Sequence, residues 1–333
     1  MKEPLSFVLV GAGAIAQSYV QALTQTQLAA LVAVVDTRPE AAKAVAEAVG
    51  ARAFATIEEA LLATNPDAAI VCTPPSTHPE LCIKLLEKGV HVLCEKPLAV
   101  GYANARRMVD TAARCGVILT MGSKFRYVED MVRAKAIVSS GVLGEIILFE
   151  NTFTSRVDMT KRWNSNPKIS GGGVLIDNGT HSVDLIRYFL GPIAEVQAVE
   201  GKRLQGLEVE DTARLFVRSM SGVMASVDLS WSLNKERDSY LDIYGSAGIV
   251  RVGWKESKYQ QASSPNWVVF ANGYDKQAAF RRQLENFCNA IVGDERLLIT
   301  SDDALASVQV MEAAYQSMAA SHWVFVDAKD KAA

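Results

Sequence analysis

The chain has 333 residues, 49% hydrophobic and 21% charged, with a formal net charge of −3. That length exceeds what one hydrophobic core usually organises and suits two globular domains; the composition excludes a disordered polypeptide. The faintly acidic balance excludes a basic field for nucleic acid or anionic membrane as the main partner, and no apolar run approaches a membrane span.

Leu5–Val10 is a nearly continuous apolar run, as expected of a strand buried on both faces. With Lys2 before it and Ala14-Ile15-Ala16 after it, the segment has the outline of a cleavable signal. Glu3 beside Lys2 and two interrupting glycines favour a first strand running into a glycine turn. A helix over 14–24, a strand over 31–35 and a helix opened by Pro39 follow. The alternation continues with a strand at 68–71, a helix at 79–88, a strand at 91–94, a helix at 103–114 and a strand at 117–120. Strands alternating with helices predict right-handed parallel crossovers, hence a doubly wound sheet.

Near Gly122 the rhythm changes. After a helix over 128–139, Val223, Ala225, Val227, Leu229 and Trp231 alternate with Met224, Ser226, Asp228 and Ser230. Leu241 and Ile243 precede a Gly245-Ser246-Ala247-Gly248 turn. This two-residue period predicts a mostly antiparallel sheet with one packed face. Helices over 174–190, 277–291 and 302–319 complete the pattern. The expected architecture is α/β: an N-terminal Rossmann domain over 1–122 and an α+β domain over 123–333 with a large open sheet. The last helix is the part of the second domain that could pack back on the first.

Gly11-Ala12-Gly13-Ala14-Ile15-Ala16 is GxGxxA, directly after a strand and opening a helix. The first glycine permits a tight turn, the second lets backbone approach a pyrophosphate, and the helix N-terminus supplies unpaired N–H donors. The next strand ends in Asp36, where a carboxylate would receive ribose hydroxyls. Gly11, Gly13, Ala14, Ile15, Asp36, Thr37 and Arg38 are therefore the expected cofactor loop. Asp36 favours NAD by repelling a 2′-phosphate, whereas Arg38 could offset that repulsion and leaves room for NADP.

Three later elements occur in order: Val71-Cys72-Thr73-Pro74-Pro75-Ser76-Thr77-His78, then His91-Val92-Leu93-Cys94-Glu95-Lys96-Pro97-Leu98, then Gly171-Gly172-Gly173-Val174-Leu175-Ile176-Asp177-Asn178-Gly179-Thr180-His181. In these the chain resembles the Gfo/Idh/MocA family of glucose–fructose oxidoreductases, inositol dehydrogenases and relatives, over nearly its whole length. The resemblance implies a nicotinamide-binding first domain and a second whose open sheet makes homodimer or homotetramer contacts. It places Thr73, Pro74 and His78 beside the nicotinamide, Glu95 and Lys96 of the active-site lysine motif at the cofactor, with Lys96 also reaching the substrate, and Asp177, His181 and Asp184 on the active-site helix as substrate contacts. Phe125, within Gly122-Ser123-Lys124-Phe125-Arg126-Tyr127, departs from a commoner arginine-rich version of that segment.

Spacings of four and three put residues 177, 181 and 184 on one helix face. Oxidising an alcohol removes a hydroxyl proton while hydride leaves carbon. A histidine, with an ordinary pKa of about 6.5, suits that base role. Lys96 as an ammonium would stabilise alkoxide character, and Asp177 would orient the hydroxyl or the imidazole. Lys96 and His181 could exchange roles. Lys124, Arg156 and Trp163, with Lys161 and Arg162, are the further candidates for a carbohydrate or polyol pocket. Five scattered cysteines without CxxC predict a cytoplasmic protein with reduced thiols, and the four histidines have no zinc-ligand spacing. The expected function is an NAD-dependent dehydrogenase of a sugar or cyclitol alcohol. The alternatives are an NADPH-dependent ketosugar reductase, a sugar-nucleotide dehydrogenase, or a silent NAD-sensing regulator.

Overall fold

Six short runs, most of them rich in valine, isoleucine, leucine and alanine, pair side by side as the first sheet. They are β1 (Leu5–Val10), β2 (Ala29–Val35), β3 (Arg52–Phe54), β4 (Ala68–Val71), β5 (His91–Glu95) and β6 (Leu119–Gly122), in the order β3-β2-β1-β4-β5-β6. Every pairing is parallel. Helices α1 (Ala16–Thr24), α2 (Pro39–Val49), α3 (Ile57–Thr64), α4 (His78–Leu86) and α5 (Tyr102–Cys115) make the crossovers. Parallel strands bring all their carboxyl ends to one edge, and the strand order reverses between β1 and β4. That switch point is where doubly wound sheets place ligands. β4 is buried along its whole length, the mark of a strand covered on both faces.

The next stretch builds a different sheet. After α6 (Glu129–Ser139) come β7 (Ile146–Thr154), the short α7 (Pro167–Ser170) and α8 (Val174–Leu190). Then follow β8 (Ile193–Glu200), β9 (Thr212–Ser219), β10 (Met224–Ser230), β11 (Ser239–Gly245), β12 (Gly248–Gly253), β13 (Ser257–Gln261) and β14 (Val268–Ala271). Helices α9 (Lys276–Ile291) and α10 (Ser301–Ala320) and strand β15 (Val324–Phe325) end the described chain. The nine strands lie in the order β14-β13-β12-β11-β7-β10-β9-β8-β15, antiparallel except where β10 pairs with β7. In β10 Ala225, Val227 and Leu229 are buried while Met224, Ser226 and Asp228 alternate with them, as the two-residue period predicts. α8 packs against β7, β9 and β10. The other alternate positions put Arg251, Asp242, Glu150, Ser226 and Phe216 in cross-strand register.

The structure is a computed structural model and describes residues 3–326. Two compact units emerge. One contains the chain up to Lys124 together with Lys276–Leu305; the other contains Phe125–Asp275 and the chain from Ala306. The sequence reading ran the second domain unbroken from residue 123, whereas the structure returns α9 and the first turn of α10 to the first unit. The cause is the apolar stripe of α9. Phe280, Leu284, Phe287 and Cys288 enter the same core as Phe7, Leu9 and Tyr19. Phe287 meets Phe7 edge-on at 6.1 Å, and Phe280 meets Tyr19 at 4.8 Å. Among the described residues no helix is long and apolar enough to cross a membrane.

Truncating Phe287 to alanine should therefore lower the unfolding free energy by about 3–5 kcal/mol, measured by denaturant titration. A loss under about 1 kcal/mol would mean that α9 is not part of this core.

Candidate active site

At the end of β1 the chain must turn against β4, and glycine is what allows it. Gly11 has φ of +94°, and a Cβ there would stand 2.9 Å from the carbonyl carbon of Cys72. Gly13 is different: a Cβ there would meet nothing within 4 Å. The amides of Gly13, Ala14 and Ile15 donate to no acceptor among the described residues. Open space over a glycine, with unspent N–H groups at the start of α1, fits the pyrophosphate of a dinucleotide.

Asp36, at the end of β2, holds this loop in place. One carboxylate oxygen accepts from the amide of Ala12 at 2.8 Å; the other accepts from the amide of Arg38 at 2.8 Å and its Nε at 3.0 Å. Burial pushes the carboxyl up, but the Arg38 hydrogen bond and the two amides outweigh it and hold Asp36 below its ordinary range. Arg38 itself is largely exposed, as is Thr37. The cation that could meet a 2′-phosphate thus already sits on the carboxylate that would meet a ribose.

The loops after β4 and β5 are tied by one imidazole. His78 is fully buried; its Nδ1 lies 2.9 Å from the carbonyl oxygen of Pro97 and its Nε2 lies 2.8 Å from that of Thr73. Burial pushes its pKa down, against carbonyl contacts that push it up, so the ring is favoured neutral. A neutral ring carries one N–H, so it donates to only one of the two carbonyls. His78 therefore shapes the loops that carry Thr73, Pro74 and Lys96 instead of reaching a ligand with a ring nitrogen. Lys96 is half-buried and precedes a cis bond to Pro97.

Glu95 is also turned inward. Tyr19 donates to its Oε1 at 2.7 Å, Gln283 donates to the Tyr19 hydroxyl at 3.2 Å, and the Lys96 amide donates to Glu95 Oε2 at 3.2 Å. Burial raises the Glu95 carboxyl; the charges of Lys96 and Lys124 and the Tyr19 hydroxyl oppose that rise. Lys124 also stands 5.9 Å over the Phe280 ring. The residue expected to touch cofactor is thus an interior anchor beside two lysines. Sequence reasoning missed Tyr19 because its spacing from Glu95 carries no local pattern.

In the second unit α8 carries the other expected residues. Asp177 is half-buried in its first turn, and His181, one turn on, is 5% exposed. The ring of Phe125 meets the imidazole edge-on at 5.0 Å and is itself stacked between Phe153 at 4.8 Å and Tyr274 at 5.3 Å. At the position where the chain departs from the commoner arginine-rich segment, an aromatic stack backs the histidine.

Asp184 departs from its expected role as a substrate contact. It is fully buried and ion-paired with Arg126 at 2.7 Å, with the guanidinium 5.3 Å over the Tyr188 ring. An ion pair so enclosed is a structural commitment, since losing either partner strands a buried charge. Arg156 and Trp163 lie exposed on the segment between β7 and α7. Among the described residues no group of three or more His, Cys, Asp or Glu side chains could hold a metal ion.

A six-stranded parallel sheet with a glycine loop after β1, held by the carboxylate that follows β2, defines a dinucleotide-binding domain. Residues 5–123 match the oxidoreductase family with an NAD-binding Rossmann fold, and residues 131–251 match the GFO/IDH/MocA C-terminal domain. The chain belongs to the Gfo/Idh/MocA oxidoreductase family. It is 28% identical to D-glucoside 3-dehydrogenase of Escherichia coli (strain K12), over 94% of this chain and 95% of that protein. It is 26% identical to inositol 2-dehydrogenase of Rhizobium meliloti (strain 1021), over 94% and 96%. The structure of GenD2 from gentamicin A biosynthesis in complex with NAD superposes with a TM-score of 0.88 at 28% identity, covering 98% of each chain.

Removing the guanidinium tests the cofactor edge. Arg38→Ala should weaken NADP binding by about tenfold, roughly 1.4 kcal/mol, and leave NAD binding within about twofold. Titration of each nicotinamide by its fluorescence reads both values; an equal loss for both would place Arg38 outside the discrimination.

Proposed function

We propose that the chain is an NAD-dependent dehydrogenase of a secondary alcohol in a sugar, cyclitol or sugar derivative, with Lys96, Asp177 and His181 carrying the proton chemistry. One observation supports this above others. Asp177 and His181 lie a turn apart on one helix, in a chain that matches 95% of the length of a D-glucoside 3-dehydrogenase and 96% of that of an inositol 2-dehydrogenase. Bound NAD would supply the hydride acceptor. Everything else falls to side chains.

In the oxidation direction the C–H bond of the carbinol breaks with its electron pair, and the O–H proton passes to a base. His181 takes that proton, while the Lys96 ammonium stabilises the oxygen as negative charge develops. Asp177 orients the hydroxyl or the imidazole. The converse assignment, Lys96 as base and His181 as donor, uses the same atoms and gives the same products. Phe125 excludes water from one side of the imidazole and restrains its rotation. The exposed Arg38 on Asp36 favours a second reading, an NADPH-dependent ketosugar reductase.

The reading extends to the assembly. We assign the protein to the cytoplasm, supported by the free thiols of Cys72, Cys82, Cys94, Cys115 and Cys288. A homodimer or homotetramer would form through the face of the nine-stranded sheet opposite α8, where a hollow of about 960 Å³ is lined by Lys235, Arg237, Asp242, Arg251 and Glu256. Mixed charges of that kind suit a self-complementary surface. Sedimentation should give a mass of two or four chains; a single-chain mass would reject this assembly.

His181→Ala and Lys96→Met should each lower turnover by about 10²–10⁴-fold while NAD affinity stays within about twofold. Absorbance of reduced nicotinamide across aldoses, inositols, sugar acids and nucleotide sugars provides the measurement. Near-wild-type turnover in either variant would remove that residue from the chemistry. Tight NAD binding with no turnover on any member would favour a non-catalytic sensor.

A further inference from the structure

A helix leaves its first four amides without partners inside itself, and a buried helix must find them elsewhere. α8 opens on Gly173, which has no side chain to cap with. Its amides are nevertheless all taken. Gly173 donates to Glu210 Oε1 at 2.9 Å, and Leu175 donates to the same oxygen at 3.0 Å. Val174 donates to the backbone carbonyl of Glu210 at 2.9 Å, and Ile176 donates to the Tyr315 hydroxyl at 3.2 Å. Tyr315 in turn donates to Glu210 Oε1 at 2.8 Å. The next amide, that of Asp177, is the first to bond within the helix, to Gly173 at 3.0 Å.

Two distant residues thus perform the whole task of a helix cap. Glu210 is 3% exposed and precedes β9, while Tyr315 lies on α10. The glycine run is what admits them. A Cβ on Gly172 would stand 1.9 Å from the Tyr315 hydroxyl oxygen, and one on Gly173 would stand 2.0 Å from the Glu210 carbonyl oxygen. Both contacts are far inside van der Waals range, so no other residue type fits while this cap exists.

We infer that Glu210 and Tyr315 are positioning residues for the reaction, clamping the start of α8 so that Asp177 and His181 are held at their working height and rotation. The inference rests on the proposed roles of those two residues. A carboxylate against the positive end of the helix adds electrostatic hold to the hydrogen bonds. Because Asp177 begins the helix's own ladder, loosening the four amides lets the functional face twist or fray from its first turn. Misplacement of about 1 Å costs on the order of 10²-fold in rate, so the effect belongs in turnover and not in cofactor affinity.

The test uses the full-length protein with Glu210→Ala, Glu210→Gln and Tyr315→Phe. Glu210→Ala should lower kcat by about 10²-fold with the KM for NAD unchanged; Glu210→Gln, which keeps an accepting oxygen, should recover most of that loss. Tyr315→Phe, which removes only the hydroxyl, should fall between them. Hydrogen exchange should show the amides of Gly173 and Leu175, which bond to the carboxylate, losing protection in Glu210→Ala while the sheet stays protected. The clamp is overturned if Glu210→Ala and Tyr315→Phe keep turnover within about twofold of wild type, or if those amides stay protected. The two ideas separate cleanly. Lost turnover in His181→Ala beside normal turnover in Glu210→Ala rejects the clamp alone. Normal turnover in His181→Ala rejects the reading of α8 as the catalytic helix, and the clamp's role in the reaction with it.

Discussion

Burying the start of α8 creates a demand that the helix cannot meet, and two residues distant in the chain meet it. Glu210 and Tyr315 come from a loop and a helix far apart in the chain, and they meet at one carboxylate oxygen. Their oxygens can reach the amides only where side chains are missing, which accounts for Gly172 and Gly173. Further along the same helix the Arg126–Asp184 pair and the Phe125 ring bear on it again. Contacts at the start, middle and far turns leave little freedom of slide or rotation. The roles proposed for Asp177 and His181 would call for a rigid element of that kind.

The first unit shows the same economy in another form. At the edge where the strands end, polar side chains bind chain to chain. Asp36 fixes the glycine loop through Ala12, His78 joins the loops of Thr73 and Pro97, and Glu95 is sunk against Tyr19. Motif residues are easily taken for ligand contacts, yet these spend their bonding capacity on backbone or on one another. What they leave toward a cofactor are amides of the turn and the open space above Gly13. Those side chains keep the backbone of the turn in shape.

Legibility followed local periodicity. β1, β4 and β5 were readable because strands covered on both faces are apolar throughout, and β10 because one packed face imposes alternation. α8 began at Val174, where the glycine run stops. β13 and β14 escaped notice: near a sheet edge they are only partly buried, and Ser257–Gln261 shows no two-residue period. α3 escaped too, although Thr56 caps it by accepting from the amide of Glu59, a signal that was present in the sequence. Of the expected site, Asp177 and His181 were readable from their spacing, whereas the inward turn of Glu95 and Asp184 was not.

By itself the sequence determined what depends on neighbours a few residues apart: the alternation that builds the parallel sheet, the tight turn at Gly11, and the stripe that puts Asp177 and His181 on one face. Tertiary structure alone decided who meets whom. It sent α9 back to the core of Phe7 and Tyr19, gave Arg126 to Asp184 across 58 residues, and brought Glu210 to Gly173 across 37 and Tyr315 to Glu210 across 105. The reason lies in the reach of each force. Backbone preference and periodicity act within a turn or two, while a buried polar atom takes whatever partner packing delivers, however distant along the chain.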